Sequence, residues 1–295
     1  MVSEISILIP VYNQNVLDLV HTLQQEAQAL AVPYEIRVYD DGSTPPTRHQ
    51  NQALAHLPCV HYRELPQNIG RSQIRALLAR EAQYPTLLFL DNDVLPTRPD
   101  FLHSYLQSAG EAVTVGGVAY KPKAPAGAEL RWKYGKNREE APAAVRQKTP
   151  YQRVFLSNML VPQTVFLEHF PQAEVSGYGH EDTLFAWRLE QRQIPVLHID
   201  NPVWHLGLEP TDVYLLKTQQ AVHNLVQLHQ RYHLGTGTKL FKAYMRFRKW
   251  KVEALLQENR NWLFPLLKRN LVSATPNLRA FDLYRLLLLA RYLQQ

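Results

Sequence analysis

In the stretch "TLLFLDNDVLP", residues 86–96, Asp91-Asn92-Asp93 follows directly on an apolar run. Two carboxylates at that spacing, where the chain leaves a buried strand, can both turn toward one hard cation. Magnesium and manganese take oxygen ligands and are commonly held by one or two carboxylates plus substrate phosphates. The same residues also suit a plain strand-end turn, because Asp and Asn bond nearby backbone. Asp40-Asp41 in "YEIRVYDDGSTPP" offers a similar pair of readings. They close a turn with Gly42, or they accept from the N–H and hydroxyl donors of a base or ribose. In "NIGRSQIRALLAREA" a glycine precedes a helical pattern with Arg71 and Arg75 four residues apart. A helix start and an arginine fork both favour phosphate, and a solvated basic face is the alternative. Glu181-Asp182 in "GYGHEDTLFAWRLEQ" falls in a first helical turn, where the dipole favours acids as caps. Asp182 is equally a candidate general base. Gly177 and Gly179 ahead of it permit close approach of backbone and ligand. His205 in "NPVWHLG" either packs beside Trp204 or supplies a neutral imidazole nitrogen to a metal.

These residues need elements to hold them. "ISILIPVYN", "YEIRVYD", "CVHYREL" and "TLLFL" read as strands, and "VLDLVHTLQQEAQAL" and "GRSQIRALLAREA" read as helices between them. Alternation of this kind predicts an α/β fold with a mostly parallel sheet. Asn13, Asp40-Asp41 and Asp91-Asn92-Asp93 all stand at strand ends, where ligands bind in open α/β sheets. "AVTVGGVAY" reads as one further strand. Residues 120–150, rich in Lys, Arg, Ala and Pro, are expected to form a functional flap or a mobile insertion, because ordinary connections are shorter. From Thr211 onward the pattern is helical, with breaks at "LGTGT" and "SATPN".

Composition narrows the classes. The chain has 295 residues, 45% hydrophobic and 20% charged, as in an ordinary globular protein. Its single cysteine, Cys59, forms neither an internal disulfide nor a cysteine zinc cluster. No apolar stretch approaches the roughly 18 residues of a membrane span, so a cytoplasmic location is expected. The net charge of +6 is uneven: residues 239–295 carry 12 Lys and Arg against 3 Asp and Glu. That basic tail, with "TKLFKAYMRFRKWKVEALL" at its start, could lie on an anionic membrane or pack its apolar stripe on the rest of the protein. No nucleic-acid reader motif is present. Nor is there a P-loop, a G-x-G-x-x-G or a G-x-S-x-G elbow.

The ordered set "SILIPVYN", "RVYDDGST", "NIGRSQIR", "FLDNDVLP" and "GHEDTLFAWRL" resembles the family 2 glycosyltransferases of the GT-A fold, over about residues 3–207. The resemblance implies transfer of a sugar from a UDP-, GDP- or dTDP-linked donor to a glycan or glycolipid hydroxyl, usually with inversion and with Mg²⁺ or Mn²⁺. It implies that Pro10, Tyr12 and Asp41 border the base, and that Arg75 and Asp91 meet the donor. Asp91, Asp93 and His205 would be metal ligands, with Asp93 the more direct. Asp182 would be the catalytic base, with Glu181 and Asn158 at the acceptor. The Ala-Arg-Asn usual after the glycine turn reads "QIRAL" here, so its asparagine is missing.

The expected organisation is a GT-A catalytic domain at 1–210 and a basic helical extension at 211–295. Within the first, 1–118 is the nucleotide-binding half and 119–210 the acceptor half. The expected activity is hexosyl transfer in surface polysaccharide or glycolipid synthesis, in the cytoplasm, with peripheral contact to the inner face of the membrane. The alternatives are an inactive nucleotide-binding scaffold and a membrane-associated protein acting through its tail.

Overall fold

The structure is a computed structural model that describes residues 4–108, 113–175, 177–235, 238–249 and 260–294. Its strands are β1 (Ile5–Val11), β2 (Tyr34–Asp40), β3 (Val60–Glu64), β4 (Thr86–Leu90), β5 (Val94–Pro96), β6 (Val113–Val115), β7 (Val118–Ala119), β8 (Asn158–Pro162), β9 (Val196–His198) and β10 (Val203–His205). Seven of them form one sheet in the order β3-β2-β1-β4-β8-β6-β9, and the other three form a small sheet, β5-β10-β7. β3, β2, β1 and β4 run parallel, as does β6 with β9, while β8 is antiparallel to both its neighbours.

The apolar runs explain the sheet. Ile5, Ile7, Leu8 and Ile9 of β1 and Leu87 to Leu90 of β4 are all buried, as expected of central strands covered on both faces. The Leu17–Ala29 helix buries Leu19, Val20, Leu23 and Ala27, one stripe at helical spacing. Leu8, Leu78, Phe89, Met159, Phe166 and Phe185 belong to one core cluster, with the Phe89 and Phe166 rings 4.4 Å apart. Val11 of β1 lies opposite Asp40 of β2, so the parallel strands end together and release Tyr12, Asp41 and Asp91 at the same edge of the sheet.

The chain divides into two compact units. The first comprises residues 1–121, 139–174 and 181–207 and holds both sheets; the second comprises 122–138, 175–180 and 208–295. In the second, the helices are Glu129–Tyr134, Thr211–Tyr232, Lys239–Lys249, Arg260–Leu271 and Leu278–Tyr292. Tyr134 and Tyr214 pack on Phe281, with ring centroids 5.5 Å from it in both cases. Residues 250–256, the later part of the basic segment, lie outside the described residues.

Within residues 120–150, the part that belongs to the first unit carries Arg146, which is 1% exposed. Its guanidinium donates to the carbonyls of Ala141, Val115, Gly116 and Ile199 and to His198 Nδ1, at 2.6 to 3.1 Å. The expected single strand in "AVTVGGVAY" is two, β6 and β7, in different sheets. Gly117 between them has φ +90°, which turns the chain from one sheet to the other.

Candidate functional site

β4 stops at Leu90, and Asp91-Asn92-Asp93 is the corner from which the chain enters the small sheet at Val94. In that sheet β10 runs antiparallel to β5 with His205 opposite Val94, and Leu206 N donates to the Asp93 carbonyl at 2.8 Å. This register sets His205 Nε2 3.2 Å from Asp93 Oδ2. A Cβ on Gly207 would stand 2.4 Å from the same oxygen, so only glycine lets the chain pass there. Behind the imidazole, the Tyr120 hydroxyl lies 3.2 Å from His205 Nδ1 and donates to the Glu139 carboxylate.

Asp91 has different company. Arg75 Nη2 donates to its Oδ1 at 2.5 Å, and Arg71 Nη2 lies 3.8 Å from Oδ2. Glu181 faces the same two cations, 3.4 Å from Arg71 Nε and 3.9 Å from Arg75 Nη1. Both arginines project from one face of the Arg71–Glu81 helix, one turn apart. Arg75 is buried, and among the described residues its Nε has no hydrogen-bond acceptor. Burial pushes the Asp91 carboxyl up, but Arg75 and then Arg71 outweigh it and hold the group below its usual range.

Asp182 goes the other way. It lies in the first turn of the Glu181–Gln191 helix beside the buried Glu181. Burial is the main cause of its shift, the Glu181 charge adds to it, and the two arginines offset only part. The carboxyl is pushed up to about 7. The two carboxyls therefore shift in opposite directions: the arginines outweigh burial at Asp91, and burial with the Glu181 charge outweighs the arginines at Asp182.

Asp41 is buried at the end of β2, where Ile69 N and Gly70 N donate to its two carboxylate oxygens at 2.7 and 3.0 Å. Burial still raises its pKa against these bonds, and Asp40 adds to the rise. It thus ties the loop ahead of the arginine helix to the sheet edge. Pro10 is near the end of β1, and Tyr12 just beyond it is 52% exposed, open to a stacking partner. The Tyr12 carbonyl accepts from Asn92 Nδ2 at 3.4 Å, which joins the β1 end to the acidic corner. Asn158, expected at the acceptor, is fully buried instead. Its amide nitrogen donates to the Gly117 and Asn201 carbonyls and its oxygen accepts from the Tyr105 hydroxyl, so its polar atoms brace the sheet.

Among the described residues no cluster of three or more His, Cys, Asp or Glu could hold a metal by itself. Asp93 and His205 offer one hard oxygen and one imidazole nitrogen. That donor set fits a Mg²⁺ or Mn²⁺ ion completing its shell with water and phosphate oxygens. Asp91, expected as a ligand too, has one oxygen committed to Arg75. Sequence reading missed Tyr120, Glu139 and Arg146, which carry no local pattern; only the long-range pairing of β7 and β10 reveals the first two.

The model of glycosyl transferase family 2 matches residues 6–161, more than half of the chain, and the protein belongs to that family. It is a glycosyltransferase with an α/β fold of the GT-A type. No curated protein matches it in sequence. In fold it is similar to residues 1–349 of TarS from S. aureus, with TM-score 0.51 and 15% identity over 99% of this chain and 89% of that one. It is similar to the mannosyltransferase PcManGT from Pyrobaculum calidifontis, solved with GDP-Man and Mn2+, with TM-score 0.58 and 14% identity over 98% and 84%. The glucosyl-3-phosphoglycerate synthase of Mycobacterium tuberculosis, solved with Mn2+, UDP and glucosyl-3-phosphoglycerate, gives 0.51 and 15% over 79% and 81%.

Proposed function

We propose that the enzyme transfers a hexosyl group from a nucleoside-diphosphate sugar to an acceptor hydroxyl with inversion, and that the reaction needs a divalent cation. The observation that carries this is the Asp182 carboxyl, pushed up to about 7, at the start of a helix and next to Glu181. A base whose proton affinity lies near the working pH transfers protons most effectively. Asp182 takes the hydroxyl proton as the acceptor oxygen attacks the anomeric carbon. Glu181 raises that proton affinity and, held opposite Arg71, orients the acceptor.

Pro10, Tyr12 and Asp41 border the base, and Arg75 with Asp91 meets the ribose and diphosphate. Asp93 and His205 would hold Mg²⁺ or Mn²⁺, which when bound neutralises charge growing on the departing diphosphate. The mannosyltransferase and synthase of similar fold, solved with GDP-Man and UDP, favour a nucleotide-sugar donor. The acceptor class is a glycan or glycolipid of the cell surface, and the enzyme works in the cytoplasm with its basic tail against the inner leaflet.

The test is a panel of UDP-, GDP- and dTDP-sugars with Mn²⁺, following transfer or hydrolysis by NMR. One donor class is expected to turn over, and the released sugar should carry the anomeric configuration opposite to the donor's. Retained configuration would overturn the base assignment, and turnover undiminished by chelator would overturn the metal requirement.

A further inference from the structure

We infer that Tyr120 and Glu139 are positioning residues that hold His205 in the tautomer a metal needs, with a bare Nε2 turned toward Asp93. The inference rests on the metal-dependent reading of this site. The Tyr120 hydroxyl lies between the Glu139 carboxylate and His205 Nδ1. An ionised carboxylate only accepts, so the hydroxyl proton points to Glu139. The Tyr120 oxygen is then an acceptor, and the group that donates to it across 3.2 Å is His205 Nδ1–H. A neutral imidazole protonated at Nδ1 carries its lone pair on Nε2. That lone pair stands 3.2 Å from Asp93 Oδ2, itself an acceptor. Two acceptors this close repel each other unless a cation joins them, and the hydrogen-bond chain behind His205 is what prevents a simple tautomer flip from relieving the repulsion.

The chain is well anchored. Tyr120 is 1% exposed, its N donates to Glu140 Oε2 at 2.9 Å, and its ring centroid is 5.6 Å from that of His205. β7 pairs in parallel with β10, Ala119 opposite Trp204, which carries the next residue of each strand to this contact. Glu139 closes a π-helical turn, Gly135–Glu139, a widened backbone often found at functional sites. Metal-ligating histidines commonly donate their second nitrogen to a carboxylate, and losing such a partner typically costs 10–100-fold in metal affinity. Here a tyrosine is interposed between the two.

The experiment titrates Mn²⁺ alone into the full chain at about pH 8, following the electron paramagnetic resonance signal of free Mn²⁺. Tyr120→Phe should weaken binding by about 10-fold. Glu139→Gln should weaken it at least as much, because its amide donates to the Tyr120 oxygen and turns the hydroxyl proton onto Nδ1. The imidazole proton then moves to Nε2. A long-range ¹H–¹⁵N spectrum of His205 reads this directly and, for the wild type, needs no variant: Nδ1–H in the native protein, Nε2–H in Glu139→Gln. A native Nε2–H, or undiminished affinity in both variants where His205→Ala loses it, would overturn the positioning role. Wild-type affinity in His205→Ala would instead remove the metal site, and this inference with it.

Discussion

Asp91 and Asp182 are both carboxylates near Arg71 and Arg75, yet burial wins at one and is overcome at the other. The consequence for stability has a definite sign. Asp182 is raised from 3.8 to about 7, so the folded state binds its proton more tightly than the unfolded chain does. Its contribution is complete below about pH 4 and is lost as pH rises through 7. Asp182→Asn, which cannot ionise, should therefore melt above the wild type at pH 8 and alongside it at pH 4. A gain of ~1 kcal/mol, discounted for partial exposure, would move Tm by roughly 2–4 °C; equal melting at pH 8 in calorimetry would show that the carboxyl ionises without penalty. Arg75→Met removes the cation that holds Asp91 down. It should cost about 3–5 kcal/mol in urea unfolding, as expected for breaking a buried pair from one side. The acids themselves were legible, because each interrupts an apolar run or opens a helical one. Their division of labour was not, since it depends on which cation or acid the fold sets against each.

At the scale of elements, the parallel strands and the two helices between them were legible because their burial is nearly continuous or strictly periodic. The small sheet was not. β5, β7 and β10 are at most three residues long, too short for a period, and exist through pairing with one another. Yet that sheet is what brings His205 to Asp93. Arg146 was hidden for a similar reason: an arginine in an Ala- and Pro-rich stretch gives no sign that it will be buried. Removing it takes away the donor to the Ile199 carbonyl and the second donor to the Val115 and Gly116 carbonyls, which still accept from Ile199 N and Asn201 N. Arg146→Met should cost about 3 kcal/mol or more, and Arg146→Lys should recover little, since a point charge cannot span that set. A loss under ~1 kcal/mol in urea unfolding would remove the clamp from the account of this segment.

For the whole molecule, the tail divides its surface by chemistry. The Leu278–Tyr292 helix buries Phe281, Tyr284 and Leu286 to Leu289, so this helix spends its apolar residues on packing. The Lys239–Lys249 helix buries Phe241 and Tyr244 and exposes Lys242, Arg246, Arg248 and Lys249. Among the described residues no helix is long and apolar enough to cross a membrane. A basic exposed face of this kind suits anionic lipid, at about 1 kcal/mol for each Lys or Arg near the surface. Replacing Lys242, Arg246 and Arg248 by Gln should lower sedimentation with phosphatidylserine vesicles at least about tenfold, and high salt should mimic the change. Unaltered sedimentation would place the tail's charge elsewhere in its function. The proposal of base-assisted inverting transfer stands or falls on kcat/KM for nucleotide-sugar turnover against pH, in wild type and Asp182→Asn with Mn²⁺ present. The wild-type value should rise through about pH 7, following Asp182. The variant should bind donor with unchanged Kd, lose that limb and fall by roughly 10²–10⁴-fold. A variant that keeps the wild-type rate and the same pH limb would contradict the assignment of Asp182 as the base.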